Sequence, residues 1–112
     1  MIHFNHNGSF KFISTEKAEK ITAIINDYRS AVKYIDKSKN NALNGILGAY
    51  KDNNIDSVEK KTDTLTRLRK RERTKKKNAM TKLKLLGLST TNIDDFIEDW
   101  ENYVKYYETV LF

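Results

Sequence analysis

Between residues 67 and 78 the chain reads RLRKRERTKKKN, eight basic side chains and a single acid. Guanidinium and ammonium groups at this density suit repeated anionic groups, above all the phosphates of a nucleic acid, whose condensed counterions are released on contact. Arg67, Arg69, Arg71 and Arg73 offer planar forks for bidentate phosphate contacts. Lys70, Lys75, Lys76, Lys77 and, further on, Lys84 supply mobile point charges. Contacts of this kind position a protein on nucleic acid more than they read a sequence. Two rival readings are contact with an acidic protein surface and the solvated flank of a long helix. A solubility device usually mixes signs, whereas only Glu72 relieves the repulsion in this run.

The other chemistry-bearing residues are less coherent. Asp94, Asp95, Glu98, Asp99 and Glu101 crowd one segment, and Asp95 with Asp99 share a helix face that could hold Mg²⁺. Acids also belong at the positive end of a helix, which explains them without a metal. His3 and His6 lack the nearby carboxylates or thiolates that would complete a coordination shell, and read as structural or solvent-facing. Trp100, Tyr103 and Tyr107 fit a packing stripe, while Tyr106 falls away from it and could stack on a base or a partner ring. NGILG lacks the lysine of a phosphate-cradling loop. There is no helix-turn-helix, zinc finger or zipper pattern around the basic run. No acid, base and nucleophile set emerges, so a non-enzymatic protein without cofactor or metal is expected.

Charge is distributed unevenly along the chain, which carries a net +6. Residues 1–66 hold ten basic and eight acidic groups, residues 67–91 ten and one, and residues 92–112 one and six. A central +9 followed by −5 presents a local potential that the net figure understates. With 112 residues and no cysteine, one domain spanning 1–112 with a modest core is expected, free of disulfide or thiolate chemistry. MIHFNHNG does not read as a signal peptide, and no apolar stretch approaches the ~18 residues of a membrane span. These features suggest a cytoplasmic protein. The Lys-, Asn- and Ile-rich composition fits the AT-rich coding sequence of a microbe or virus.

The elements that must position the basic run follow from periodicity. Residues 1–13 predict a β-hairpin with a three-residue loop, His6-Asn7-Gly8, which pairs Phe4 with Phe10 and Ile2 with Phe12 and sets His3 opposite Lys11. Ser14 caps a helix over residues 15–36 whose stripe is Ala18, Ile21, Ile24, Ile25, Tyr28, Val32 and Ile35. SKNN ends or interrupts it before a shorter helix marked by Leu43, Ile46, Leu47 and Tyr50, with Gly45 and Gly48 allowing either close packing or loose order. Asp56 and Glu59 form a capping box for a helix over 57–86 that closes at Gly87 and Leu88. Thr91 caps the last helix, whose stripe runs through Ile93, Phe96, Ile97, Trp100, Tyr103, Val104, Tyr107 and Leu111.

On a helical wheel, Val58, Leu65, Leu68, Ala79, Leu83 and Leu86 share one side of the 57–86 helix. Arg67, Lys70, Arg73, Lys77 and Lys84 lie opposite, with Arg69, Arg71, Lys75 and Lys76 on the flanks. Between Leu68 and Ala79 the apolar side is interrupted for roughly 16 Å by Glu72, Lys75 and Lys76, so this middle should face water or contain a break near Thr74 or Asn78. The heptad pattern does not favour a coiled coil. The expected fold is mainly α, a small antiparallel helical bundle with an N-terminal β-hairpin. The expected function is nucleic-acid binding, to DNA or RNA, through phosphates, in a regulatory or architectural role. The alternative is a protein-interaction module or inhibitor with opposed basic and acidic surfaces, and either could self-associate.

Overall fold

The structure, a computed structural model, describes the backbone of residues 3–111 and the side chains of residues 3–9 and 11–106. Three helices dominate: α1 (Thr15–Lys51), α2 (Ile55–Leu85) and α3 (Ile93–Leu111). The first and last helix starts follow simple capping rules. Ser14 Oγ accepts from the Lys17 amide at 3.2 Å. Asn92 Oδ1 accepts from the amides of Asp94 and Asp95 at 3.0 and 3.3 Å, so the α3 cap lies one residue beyond the expected Thr91. For α2 the expected Asp56 capping box is replaced by Asn54, whose Oδ1 accepts from Ser57 N at 3.1 Å. Asn serves as well as Asp or Ser at this position because its carbonyl reaches the same orphan amide.

The expected hairpin over residues 1–13 is not the arrangement that forms. β1 (Phe4–His6) and β2 (Ser9–Lys11) are three residues each and pair antiparallel through the two-residue turn Asn7-Gly8. The partners are Phe4 with Lys11, Asn5 with Phe10 and His6 with Ser9, so the matched Phe4–Phe10 pair is absent. Asn7 and Gly8 both take positive φ, 53° and 77°, the backbone of a turn whose twist suits a two-residue connection. Turn geometry therefore overrode apolar pairing. Burial against helices made this affordable, since Phe4 finds aromatic partners on α3 instead of across the strand. The expected Ile2–Phe12 pair falls partly outside the described residues, and Phe12 is exposed. The fold is thus a small, mainly α three-helix bundle, and the expected hairpin, with its three-residue loop and Phe4–Phe10 pairing, is withdrawn.

Two compact units emerge, Met1–Asn26 with Asn78–Phe112, and Asp27–Lys77. The first contains the β-pair, the start of α1, the end of α2, and α3. Phe4, Ile21, Leu83 and Phe96 are fully or almost fully buried there. Phe4 meets Phe96, Trp100 and Tyr103 edge-on at ring-centre distances of 5.3, 5.3 and 5.6 Å. His6 is also buried and its Nδ1–H donates to Asp99 at 2.5 Å. Its Nε2 lies 2.9 Å from the Thr90 hydroxyl and accepts from Asn7 Nδ2 at 3.1 Å. This network ties the β-pair to α3 and to the turn before it. The α2 end is the Schellman motif expected at Gly87: Leu88 N reaches Leu83 O at 3.0 Å, Gly87 N reaches Lys84 O at 2.9 Å, and Gly87 has φ 82°.

The second unit is a helical hairpin made of residues 27–51 of α1 and 55–77 of α2. Its tip uses the same closing motif, with Asn53 at φ 53° in the place usually given to glycine and Asn54 N bonded to Ala49 O at 2.9 Å. The expected stop at SKNN does not occur, and α1 runs unbroken through 37 residues. The reason is a stripe at alternating spacings of four and three: Ile21, Ile25, Tyr28, Val32, Ile35, Lys39, Ala42, Ile46 and Ala49, none of them fully exposed. That is a heptad seam with one lysine in it. Close packing occurs at Gly45, where a Cβ would lie 2.8 Å from the Lys61 side chain, whereas Gly48 faces open space.

Candidate nucleic-acid interface

Helix α2 is continuous through the basic run, with no break at Thr74 or Asn78. In the Asp27–Lys77 unit, Arg67, Arg69, Lys70, Arg71, Arg73 and Lys77 are exposed, and Lys75 and Lys76 are half-buried. Lys84 is also exposed but belongs to the other unit, so the assembled patch comprises residues 67–77. Leu65 is buried and Leu68 half-buried on the opposite side, which orients the cationic side outward. No proline or glycine interrupts the segment, and its leucines hold the helix to α1.

The interrupted apolar side behaves differently from expectation. Glu72 does not turn to water. It lies on the seam and accepts a hydrogen bond from Lys39 Nζ of α1 at 2.7 Å, with only about a fifth of either side chain exposed (20% and 23%). Asp36 adds a weaker contact to Lys39 at 3.8 Å. The Lys39 hydrogen bond holds the Glu72 carboxyl below its ordinary value, helped by the charges of Lys39 and Lys76 and opposed by partial burial. A seam position that would reject an isolated charge accepts a paired one.

This pairing determines the sign of the exposed surface. Glu72 is the only acid between Arg67 and Asn78, and it is drawn inward to a lysine from the other helix. Among the described residues, Arg69, Lys70, Arg71 and Arg73 form no ion pair. Arg67 donates to the Thr64 hydroxyl at 3.4 Å. Arg69, Lys70, Arg71 and Arg73 are therefore held together on one continuous helix without an ion pair to the carboxylates of the described residues. Such a surface favours a multivalent anion over scattered counterions.

The acidic segment has another geometry. Asp94, Asp95, Glu98 and Glu101 are exposed on α3, but Asp99 is taken by His6, so the Asp95–Asp99 pair considered for Mg²⁺ is divided. Among the described residues, no three His, Cys, Asp or Glu side chains are grouped to hold a metal ion. Tyr106 is exposed and Trp100 buried, in keeping with the stripe assignment. No described helix is long and apolar enough to cross a membrane.

Two contributors escaped the sequence reading. Lys39 sits in the polar SKNN stretch, where only the four-and-three spacing of its neighbours marks it as a seam residue. His6 was visible as a histidine but not as a buried one, because its partners Thr90 and Asp99 are 84 and 93 residues away. No family model matches the chain, and neither curated proteins nor solved structures yield a match.

Proposed function

We propose that this is a small, non-enzymatic nucleic-acid-binding protein that contacts phosphates through the outward face of α2. The reading rests on one observation: the single acid of the 67–78 run is withdrawn onto Lys39, leaving the exposed side uniformly basic. Arg67, Arg69, Lys70, Arg71 and Arg73 form the central contacts, with Lys75, Lys76 and Lys77 beside them. Lys84 extends the basic sequence without being counted in the same patch. DNA or RNA is the partner, and a cytoplasmic location goes with that reading. The exposed carboxylates of α3 favour a second reading, a protein-interaction module with opposed charges.

A titration with DNA, RNA and heparin at several salt concentrations separates the two. Phosphate contact predicts tight binding at low salt that weakens steeply as salt rises. Changing Lys70, Arg73 and Lys77 together to Gln should preserve the helical circular-dichroism signal and flatten the salt dependence by up to about three counterions. Absence of binding to either nucleic acid at low salt would reject the proposal. Charge reversal at Arg69, Arg71 and Arg73 that abolishes a stoichiometric protein complex would favour the second reading.

A further inference from the structure

We infer that α2 is shaped to lie in the major groove of duplex DNA, with one pair of arginines gripping each phosphate wall. The inference rests on the polyanion reading above and names its partner. Its starting point is the spacing of Arg67, Arg69, Arg71 and Arg73 at every second residue on a helix now known to be unbroken. Two residues advance about 200° around an α-helix and four residues about 40°. Alternate arginines therefore fall into two columns, Arg67 with Arg71 and Arg69 with Arg73, about 160° apart. All four are exposed.

The arc between the columns is the one facing away from α1. Leu65, Leu68 and Glu72 occupy the other side, against α1, as the Lys39 contact establishes for Glu72. Along the outward crest lie Thr66, Lys70 and Thr74. The two threonines are kept close to the helix, because Thr66 Oγ1 donates to Thr62 O and Thr74 Oγ1 to Lys70 O, each at 3.1 Å. The result is a slim polar crest between two cationic flanks.

Few anionic partners present charge to both flanks of one helix. A single strand offers one line of phosphates, and a flat anionic surface meets the crest and its immediate margins. The major groove of B-form DNA is about 12 Å wide, matching a helix of about 10–12 Å with its side chains, and has phosphates on both walls. The A-form major groove of duplex RNA is too narrow and deep to admit a helix in this way. Arginine suits the walls because its fork engages a phosphate bidentately.

The test compares two double variants of the full chain, Arg67→Gln with Arg71→Gln, and Arg69→Gln with Arg73→Gln. Each should lower affinity for duplex DNA by a similar factor, about tenfold or more, and reduce the magnitude of the salt slope by about two. The unmodified protein should bind DNA carrying bulky glucosylated hydroxymethylcytosine in its major groove at least about tenfold more weakly, while distamycin in the minor groove should not compete. Equal affinity for duplex RNA and DNA, or dependence on one arginine pair alone, would overturn the groove inference and leave the polyanion reading standing. Loss of binding to DNA, RNA and heparin alike at low salt would remove both. Should a Gln variant lose helical signal, the modified-DNA comparison on the unmodified protein still decides.

Discussion

The two compact units solve the problem of holding helices together by different means. In the unit containing both chain ends, Phe4, Phe96 and Trp100 pack with Ile21, Leu83 and Ile97, and the main polar intruder, His6, is hydrogen-bonded through both ring nitrogens. In the Asp27–Lys77 unit the seam is narrower in chemistry. Tyr28, Ile35, Ala42, Ala49 and Leu65 are buried, Val32, Ile46 and Leu68 are half-buried, and a Lys39–Glu72 pair and a Lys61 stem lying across Gly45 complete the seam. Aromatic and aliphatic burial together stabilise the first unit. The second unit trades apolar seam for a single exposed sign along residues 67–77 of α2, while exposed acids such as Asp36, Asp56, Glu59 and Asp63 leave the rest of its surface mixed.

The comparison is broken most severely by Leu83→Asp. Leu83 is completely buried, so an unpaired carboxylate there should cost more than about 4 kcal/mol and unfold the protein, seen as loss of cooperative melting and of the Trp100 near-ultraviolet signal. Native-like melting would show that the face of α2 has been misassigned. Leu65→Ala should have an intermediate effect, about 2–3 kcal/mol by chemical denaturation, because its seam is lined by smaller and more polar neighbours. A cost equal to that of Leu83→Asp would erase the distinction between the units.

Glu72→Gln sharpens the comparison with the smallest change. At neutral pH it should lower stability by no more than about 1 kcal/mol. Because the folded carboxyl titrates below its unfolded value of about 4.3, its contribution is present above that pH and is lost as pH falls through the folded value. Denaturation at pH 7 and pH 3 should therefore show a gap between the two proteins that closes on acidification. A gap that persists unchanged at pH 3 would mean that the charge of Glu72 is not what stabilises the seam.

Much of this architecture was legible in residue spacing. The α3 stripe from Ile93 to Val104, the Ser14 cap and the Gly87 closure depend on local rules, and local geometry obeys them. The continuity of α1 was hidden because Lys39 interrupts its heptads and its neighbours Ser38, Asn40 and Asn41 resemble a loop. The partner that makes Lys39 acceptable, Glu72, lies 33 residues away, beyond the reach of any local pattern. The short strand register failed for a related reason: the reward for burying Phe4 comes from α3, not from the facing strand. The basic run was visible as composition. Its uniform outward sign became visible only with the inward turn of Glu72.

The His6–Asp99 contact joins positions separated by nearly the whole chain. During synthesis the helical hairpin of residues 27–77 can close as soon as its own segment has emerged, since its contacts are comparatively local. The N-terminal strands must wait for α3, leaving Phe4 without its aromatic neighbours until Phe96, Trp100 and Tyr103 have emerged. The surface that displays the arginines is thus available to mature first, and the contact between the β-pair and α3 is secured only later.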